Sequence, residues 1–389
     1  MLGAVVLVAL GLLPWADAVS GILKGLDVYL FLIGMMLLAE LARGEGLFDW
    51  LAALAVEHAR GSPQRLFNLI YLVGTLVTVF LSNDATAVVL TPAVYAAARA
   101  AGAEPLPYLF VCAFIANAAS FVLPISNPAN LVVFGAHMPT LPAWLALFAL
   151  PSIASIGATY IALRLSLHSA LQAAVFATKV DRPELSRGGQ LAAAGIGVTA
   201  TALLLCSAFD VQLGLATFIC SAAAWLAIFA IRRQPSWRVL KEISWGVLPL
   251  VAGLFVLVEA LGRTGVIAAI HGLLIDAVAA SVNGATWGTG LVLALASNLM
   301  NNLPVGLIAG SVMAADHVPS HIAGAALIGV NLGPNLSITG SLATILWLAA
   351  LRREGLEVGA WRFLRLGAVV MIPALVLSIM SLIVLTPRP

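Results

Sequence analysis

A chain of 389 residues that is 62% hydrophobic and only 9% charged, with a mean hydropathy of +1.06, carries more apolar side chain than a soluble domain of its size can bury. Its runs are apolar on all sides rather than in alternation, which excludes a closed β-barrel and leaves a polytopic α-helical membrane protein. A net charge of +2 leaves no electrostatic footprint for nucleic acid, and without a G-x-x-x-x-G-K-[ST] motif the chain carries no ATPase of its own.

In chain order, residues 2–14 form the first apolar run. No basic n-region or A-x-A site accompanies it, so it reads as a membrane helix rather than a cleaved signal. Residues 27–42 read as the next crossing. Residues 48–59 are too short to cross and are expected at the interface. Residues 66–98 are apolar except at Ser82, Asn83 and Asp84, and 106–135 break at PISNP. Residues 141–163 cross. The most polar stretch, 164–189, reads as a solvated cytoplasmic linker carrying Lys179, Asp181, Arg182, Glu184 and Arg187. Crossings follow at 191–209, 213–231 and 245–261, then a second interfacial segment at 266–278. Residues 286–313 break at NNLP, 322–350 break at GPNLSITG, and 366–385 make the last crossing. Each uninterrupted run approaches the ~20 residues of a crossing once flanks are added. Pro92, Pro124, Pro128, Pro304 and Pro334 mark the breaks, since proline removes a helix donor. Open backbone at membrane depth is tolerated only where it lines a cavity or is buried in protein.

The chain also repeats itself. MLLAELARGEGLFDWL aligns with FVLVEALGRTGVIAAI at an offset of 219, SNDATAVVL with MNNLPVGLI at 218, and NAASFVLPISNPANLVVFG with NLGPNLSITGSLATILWLA at 214. Glu40 thereby falls on Glu259, Asn83 on Asn301, Asp84 on Asn302 and Asn117 on Asn331. If 66–98 and 286–313 are re-entrant hairpins entering from opposite sides, sixteen basic residues fall inside and only Lys24, Arg263 and Arg388 outside, as the positive-inside rule requires. The expected architecture is an all-α polytopic membrane protein of two inverted repeats, with about nine transmembrane helices, two re-entrant hairpins and two of the crossings broken. The first repeat spans 1–163, the cytoplasmic linker 164–189 and the second repeat 190–389. The helix at 191–209 has no counterpart 219 residues earlier, so the first repeat is expected to lack one N-terminal helix.

The breaks are expected to bring one acid and many amides and hydroxyls to the midplane. The first tip supplies Ser82, Asn83, Asp84 and Thr86, and the second Asn301 and Asn302. The first broken helix adds Asn117, Ser126, Asn127 and Asn130; the second adds Asn331, Asn335, Ser337, Thr339 and Ser341. No Lys, Arg or His is among them. A multiply charged anion calls for Arg or Lys, and a bare divalent metal for several carboxylates. A small neutral polyhydroxyl solute suits groups that both donate and accept. A single sodium ion held by Asp84 and carbonyls also fits. Solute binding is expected at Ser82, Asn83, Thr86, Asn117, Ser126, Asn127, Asn301, Asn302, Asn331, Thr339 and Ser341. Proton coupling is expected at Asp84, because an amide, as at Asn302, serves a pure solute site and a lone acid is costly to hold ionised at that depth. The competing reading of Asp84 is a cap on the second limb.

The remaining chemistry reads as structural. Cys112, Cys206 and Cys220 are scattered and read as core residues, the other reading being thiolate ligands for a soft metalloid. Glu40 with Arg43 and Glu259 with Arg263 read as local ion pairs at helix ends. All six histidines fall near ends and loops, which leaves no basis for an intramembrane enzyme or a metal site.

The segments SNDATAVVLTP, ANAASFVLPISNPANLVVFG, SNLMNNLP and NLGPNLSITGSLATILW resemble the arsenical pump membrane proteins, the arsenite and antimonite permeases of the ion transporter superfamily. The resemblance covers almost the whole chain. It implies a secondary transporter in the cytoplasmic (inner) membrane of a bacterium or archaeon, embedded in lipid, with no cofactor. It implies export of trivalent arsenic and antimony as neutral trihydroxides. The energy would come from protons or from a separate soluble arsenite-stimulated ATPase docked on the cytoplasmic face. The alternative on the same scaffold is a sodium/proton antiporter.

Overall fold

The computed structural model describes residues 1–172, 184–232, 237–314 and 318–385, and no strand occurs among them. Lys179, Asp181, Arg182, Arg233, Asp316, His317 and Arg388 lie outside the described residues. The first half contains α1 (Leu2–Ala9), α2 (Trp15–Lys24), α3 (Leu26–Gly44), α4 (Leu47–Ala59) and α5 (Pro63–Phe80). It continues with the single turn α6 (Asn83–Ala85), a π-helical turn at Thr86–Leu90, α7 (Thr91–Ala100), α8 (Leu106–Ala118), α9 (Pro128–Phe134) and α10 (Leu141–Ser166). Next come α11 (Arg187–Ala208), α12 (Leu213–Arg232) and the short α13 (Trp237–Glu242). The second half runs through α14 (Val247–Arg263), α15 (Val266–Ala280), α16 (Val282–Met300), α17 (Asn302–Met313), α18 (Ser320–Leu332), α19 (Leu342–Arg353) and α20 (Ala360–Leu385).

From α3 to α10 and from α14 to α20 the elements recur in the same order, with α6 and α7 together matching α17. The punctuation recurs too. α4 and α15 both start at a left-handed glycine, Gly46 at φ 74° and Gly265 at φ 80°, where a side chain would be strained. α10 and α20 each carry one internal proline, Pro151 and Pro373. These two long helices pack along each other, and the Ser378 hydroxyl donates to the Pro151 carbonyl (3.0 Å).

Helices α5, α10, α11, α12 and α20 are long and apolar enough to cross a membrane unbroken. Two bent pairs, α2 with α3 (48°) and α14 with α15 (74°), are long and apolar enough only when each pair is taken together. Of the about nine crossings expected, two of them broken, five are continuous helices long and apolar enough to cross among the described residues. The run at 2–14 is one correction. Its helix ends at Ala9, Gly11 adopts φ 70°, and Pro14 stands at the start of α2. A left-handed glycine followed by a proline stops helix propagation however apolar the residues are.

Close approach of helices depends on small residues. Gly329 of α18 lies against the backbone of Gly290 on α16, and Gly34 of α3 against that of Thr217 on α12. Gly329→Val should push α18 off α16 and cost about 1–3 kcal/mol or more. Gly272 on α15 has open space around its Cα. In thermal unfolding in detergent, Gly329→Val should melt well below the parent, while Gly272→Ala should melt at or above it.

Across the halves, α8 packs on α19 and α20 through an aromatic cluster. Phe114 stacks on Phe363 at 5.1 Å, and Trp347 Nε1 donates to the Leu109 carbonyl at 2.9 Å.

Candidate functional site

Local chemistry forms each break. Ser82 is extended, and its hydroxyl accepts from the Ala85 N–H (3.1 Å), capping the new helical turn. Pro92 offers no N–H and would crowd the carbonyl one turn back, so the helix widens to a π turn over Thr86–Leu90. Thr91 Oγ1 donates to the Thr86 carbonyl there (3.1 Å). The hydroxyls of Thr78 and Thr86, 2.8 Å apart, join the two sides of this break. In the second half Asn301 takes φ 77°, which asparagine tolerates better than most residues, and its side chain accepts from the Leu303 N–H. Asn127 caps α9 by accepting from Ala129 N (2.9 Å), and Ser341 caps α19 by accepting from Thr344 N (3.1 Å).

Each tip is tied to the broken helix of its own half. Ser126 Oγ donates to the Val79 carbonyl (3.0 Å). Asn302 N donates to the Gly340 carbonyl (2.9 Å) and Asn301 Nδ2 to the Thr339 carbonyl (3.2 Å). Near their breaks the two broken helices are tied to each other through side-chain amides and a hydroxyl. Asn117 Nδ2 donates to Asn335 Oδ1 (2.8 Å). Ser120 Oγ (2.7 Å) and Asn127 Nδ2 (2.5 Å) both donate to Asn331 Oδ1. Asn331 Nδ2 donates to Asn130 Oδ1 (3.0 Å) and to the Leu327 carbonyl (3.1 Å). All six residues are at most 2% exposed.

Asp84 stands apart from this network. Its side chain makes no hydrogen bond or ion pair among the described residues. It lines a small cavity of about 50 Å³ together with Ser82, Glu40, Ser244, Pro128 and Leu342. The walls are thus α3, the first tip, the first residues of α9 and α19, and the turn before α14. Glu40 accepts from Arg43 Nε (2.7 Å), and Arg43 also bonds Glu242 of α13. No Lys, Arg or His lines the cavity. Among the described residues no three His, Cys, Asp or Glu side chains could hold a metal ion together.

The residues singled out from the sequence fall into three places. Ser82 and Asp84 line the cavity, with Asn83 and Thr86 buried beside them. Asn117, Asn127 and Asn331 belong to the amide network, and Ser126 ties that region to the first tip. Asn301, Asn302, Thr339 and Ser341 cluster at the second tip and the start of α19. Several of these groups keep free capacity. Asn83 Oδ1, Asn117 Oδ1 and Asn335 Nδ2 are buried without a hydrogen-bond partner. Sequence reasoning missed Ser120, Asn298 and the place of Glu40 in the cavity. Asn298, whose Nδ2 donates to the Gly333 carbonyl (2.9 Å), lies one turn before the second tip, and that spacing was an available signal.

The sequence model of a family described as "Citrate transporter" matches residues 1–329. The chain is 27% identical to the arsenical pump membrane protein of Yersinia enterocolitica over 363 residues, covering 90% of this chain and 84% of that one. The arsenical pump membrane protein of Escherichia coli K12 matches with the same identity and coverage. An uncharacterized transporter of Mycobacterium tuberculosis is 26% identical over 376 residues, again covering 90% and 84%. Among solved structures, the YdaH transporter of Alcanivorax borkumensis, described as having an unusual topology, shares the fold. Its TM-score is 0.58 at 18% identity, covering 95% of this chain and 86% of that one.

Proposed function

The chain belongs to the citrate transporter family, and from that premise we propose that this multi-pass membrane transporter exports trivalent arsenic and antimony as neutral trihydroxides in exchange for protons. The observation that carries the reading is the isolation of Asp84: one carboxylate without an ion partner, in a cavity free of Lys, Arg and His. A citrate trianion would need cationic side chains or exposed helix N-termini in quantity, and the cavity offers no cation. A neutral trihydroxide needs only groups that donate and accept, as the hydroxyls of Ser82 and Ser244 in this cavity do. The kinship with arsenical pump membrane proteins supports the same solute.

In the exchange, Asp84 takes a proton from outside and releases it inside, while the solute moves outward. Ser82, Asn83, Thr86, Asn301 and Asn302 contact the solute. Asn117, Ser126, Asn127, Asn331, Thr339 and Ser341 hold the broken helices in register around it, and Asn117 keeps an unpaired Oδ1 for it. The two tips and the broken helices move as a transport unit against a scaffold of α3, α11, α12 and α14. The bacterial or archaeal inner membrane is the setting, and a soluble arsenite-stimulated ATPase would dock on the cytoplasmic face.

The test is uptake into everted vesicles. Arsenite should accumulate when a proton gradient is imposed and stop when it is collapsed. It should not respond to a sodium gradient, and excess citrate should not compete. Sodium-driven uptake would support the antiporter reading instead, and competition by citrate would overturn the neutral-solute reading. The thiols are expected to be bystanders. Cys112 is buried in α8, and Cys206 and Cys220 sit on α11 and α12, away from the tips. Changing all three to serine should leave arsenite flux within about twofold of the parent, since a carrier held by thiolates would release its solute too slowly.

A further inference from the structure

A second cavity lies on the other side of the contact between α3 and α9. It measures about 310 Å³ and is lined by Lys24, Asp27, Asp210 and Gln212 on the scaffold side and by Leu131 and Val132 of α9. Asp27 accepts from Gly214 N (2.7 Å), and Glu259 pairs with Lys24 (2.7 Å) rather than with Arg263 as expected from the sequence, Arg263 pairing instead with Asp17. A space of this size with several polar partners holds water. The two cavities therefore share the same two helices. On α3 the charged cavity ends at Val28 and the Asp84 cavity begins at Leu32. On α9 the Asp84 cavity ends at Pro128 and the charged cavity begins at Leu131. The separation is four residues on α3 and three on α9, about one turn, or about 6 Å and about 4.5 Å. The residues that bound it are apolar and closed: Val28 and Leu131 of the charged cavity are 5% and 3% exposed, and Leu32 of the Asp84 cavity is 2% exposed.

We propose that these cavities are the two mouths of one permeation route along the α3–α9 groove, held shut by a single apolar turn made of Val28, Leu32 and Leu131. The charged cavity is the outer mouth, because the Lys24 end of α3 is opposite the Arg43 end that the basic residues place at the cytoplasm. The charged groups on the outer side are Lys24, Asp27 and Asp210, with Glu259 paired to Lys24; those on the inner side are Asp84 and Glu40, with Arg43 paired to Glu40 and Glu242 to Arg43. A narrow apolar turn excludes water and so blocks protons without any moving charge. A small shift of α9 against α3 would wet it. The role of Asp84 as the proton's destination rests on the exchange proposed above; the position of the turn does not.

The experiment uses the full chain, purified and reconstituted in liposomes without metalloid, with an internal pH dye and clamped membrane potential. Leu32→Ala with Leu131→Ala should raise the proton leak on the order of tenfold, because the enlarged turn wets. Leu109→Ala truncates an equally buried leucine on α8 away from the groove, and should leave the leak at the parent's level. A double variant that leaks no more than the Leu109→Ala control overturns the proposal. A second measurement does not depend on tolerating truncations. In a chain with Cys112, Cys206 and Cys220 changed to serine, Val28→Cys should react with a membrane-impermeant thiol reagent only from outside. Leu32→Cys should react only from inside. Reaction of both from the same side overturns the route. If the leak and labelling come out as expected while no arsenite flux is found, the solute assignment fails and the route stands.

Discussion

Asp84→Asn is expected to abolish proton-driven accumulation of arsenite while leaving a folded protein that still equilibrates the solute. The substitution is nearly isosteric, and Asn can still serve at the start of the helical turn that follows Ser82. Losing the negative charge near a helix N-terminus costs only about 0.3–1 kcal/mol. No ion pair or hydrogen bond among the described residues is broken, because Asp84 makes none. What disappears is the ability to carry a proton. With one proton exchanged per solute, a gradient of one pH unit supports up to about tenfold accumulation. The variant should show an accumulation ratio near unity at every imposed gradient, together with a flux that no longer changes between pH 6 and pH 8. The measurement is radiolabelled or mass-spectrometric arsenite uptake in everted vesicles, normalised to folded protein. A variant that still concentrates arsenite with the parent's pH dependence would make Asp84 a cap, and would move the coupling role to the other carboxylate of its cavity, Glu40.

Asn331→Ala should be the most destabilising single change in the amide network. Asn331 accepts from Ser120 and Asn127 and donates to Asn130 and the Leu327 carbonyl. Alanine leaves Ser120, Asn127 and Asn130 with lost or weakened pairing in a region closed to water, at about 1–3 kcal/mol for each buried group left unsatisfied. The total, several kcal/mol, is a large share of a typical folding free energy of about 5–15 kcal/mol. Asn117→Ala removes only the bond to Asn335 and should cost about 1–2 kcal/mol. Asn331→Asp keeps the two acceptor contacts, loses the donor contacts and buries a charge, so it should not rescue the fold. Thermal unfolding followed by size-exclusion fluorescence should rank the parent above Asn117→Ala, and Asn117→Ala well above Asn331→Ala. Equal melting of the two alanine variants would mean that packing of the apolar shoulders, not the amides, holds the broken helices together.

Much of this was legible along the chain, and the reasons are local. Ser82-Asn83-Asp84 interrupts an apolar run, and Ser82 does start a new helix. PISNP and GPNLSITG break their helices because proline and glycine are clustered there with capping Ser and Asn, whereas the lone Pro151 and Pro373 are accommodated inside α10 and α20. The left-handed Gly46 and Gly265 sit at equivalent points of the repeated segments, as the offset near 219 requires. Residues 2–14 were misjudged because hydropathy counts apolar side chains and is blind to backbone conformation; Gly11 and Pro14 were the contrary signals.

By itself, then, the sequence determined an all-helical membrane transporter with two repeated halves and four polar interruptions. Composition, period and helix-breaking residues act within a few positions of themselves, and a bilayer admits few other solutions for so apolar a chain. The tertiary structure alone decided which polar groups satisfy one another and which are left free. Asn331 meets Ser120, Asn127 and Asn130 across more than two hundred residues, and Glu40, Asp84, Ser244 and Leu342 come to one cavity from four elements. Nothing in one dimension distinguishes an asparagine whose amide is consumed by a partner from one whose oxygen remains unpaired, as at Asn83. That distinction is made by helix packing, where the cost of an unsatisfied buried group selects the partners that are within reach.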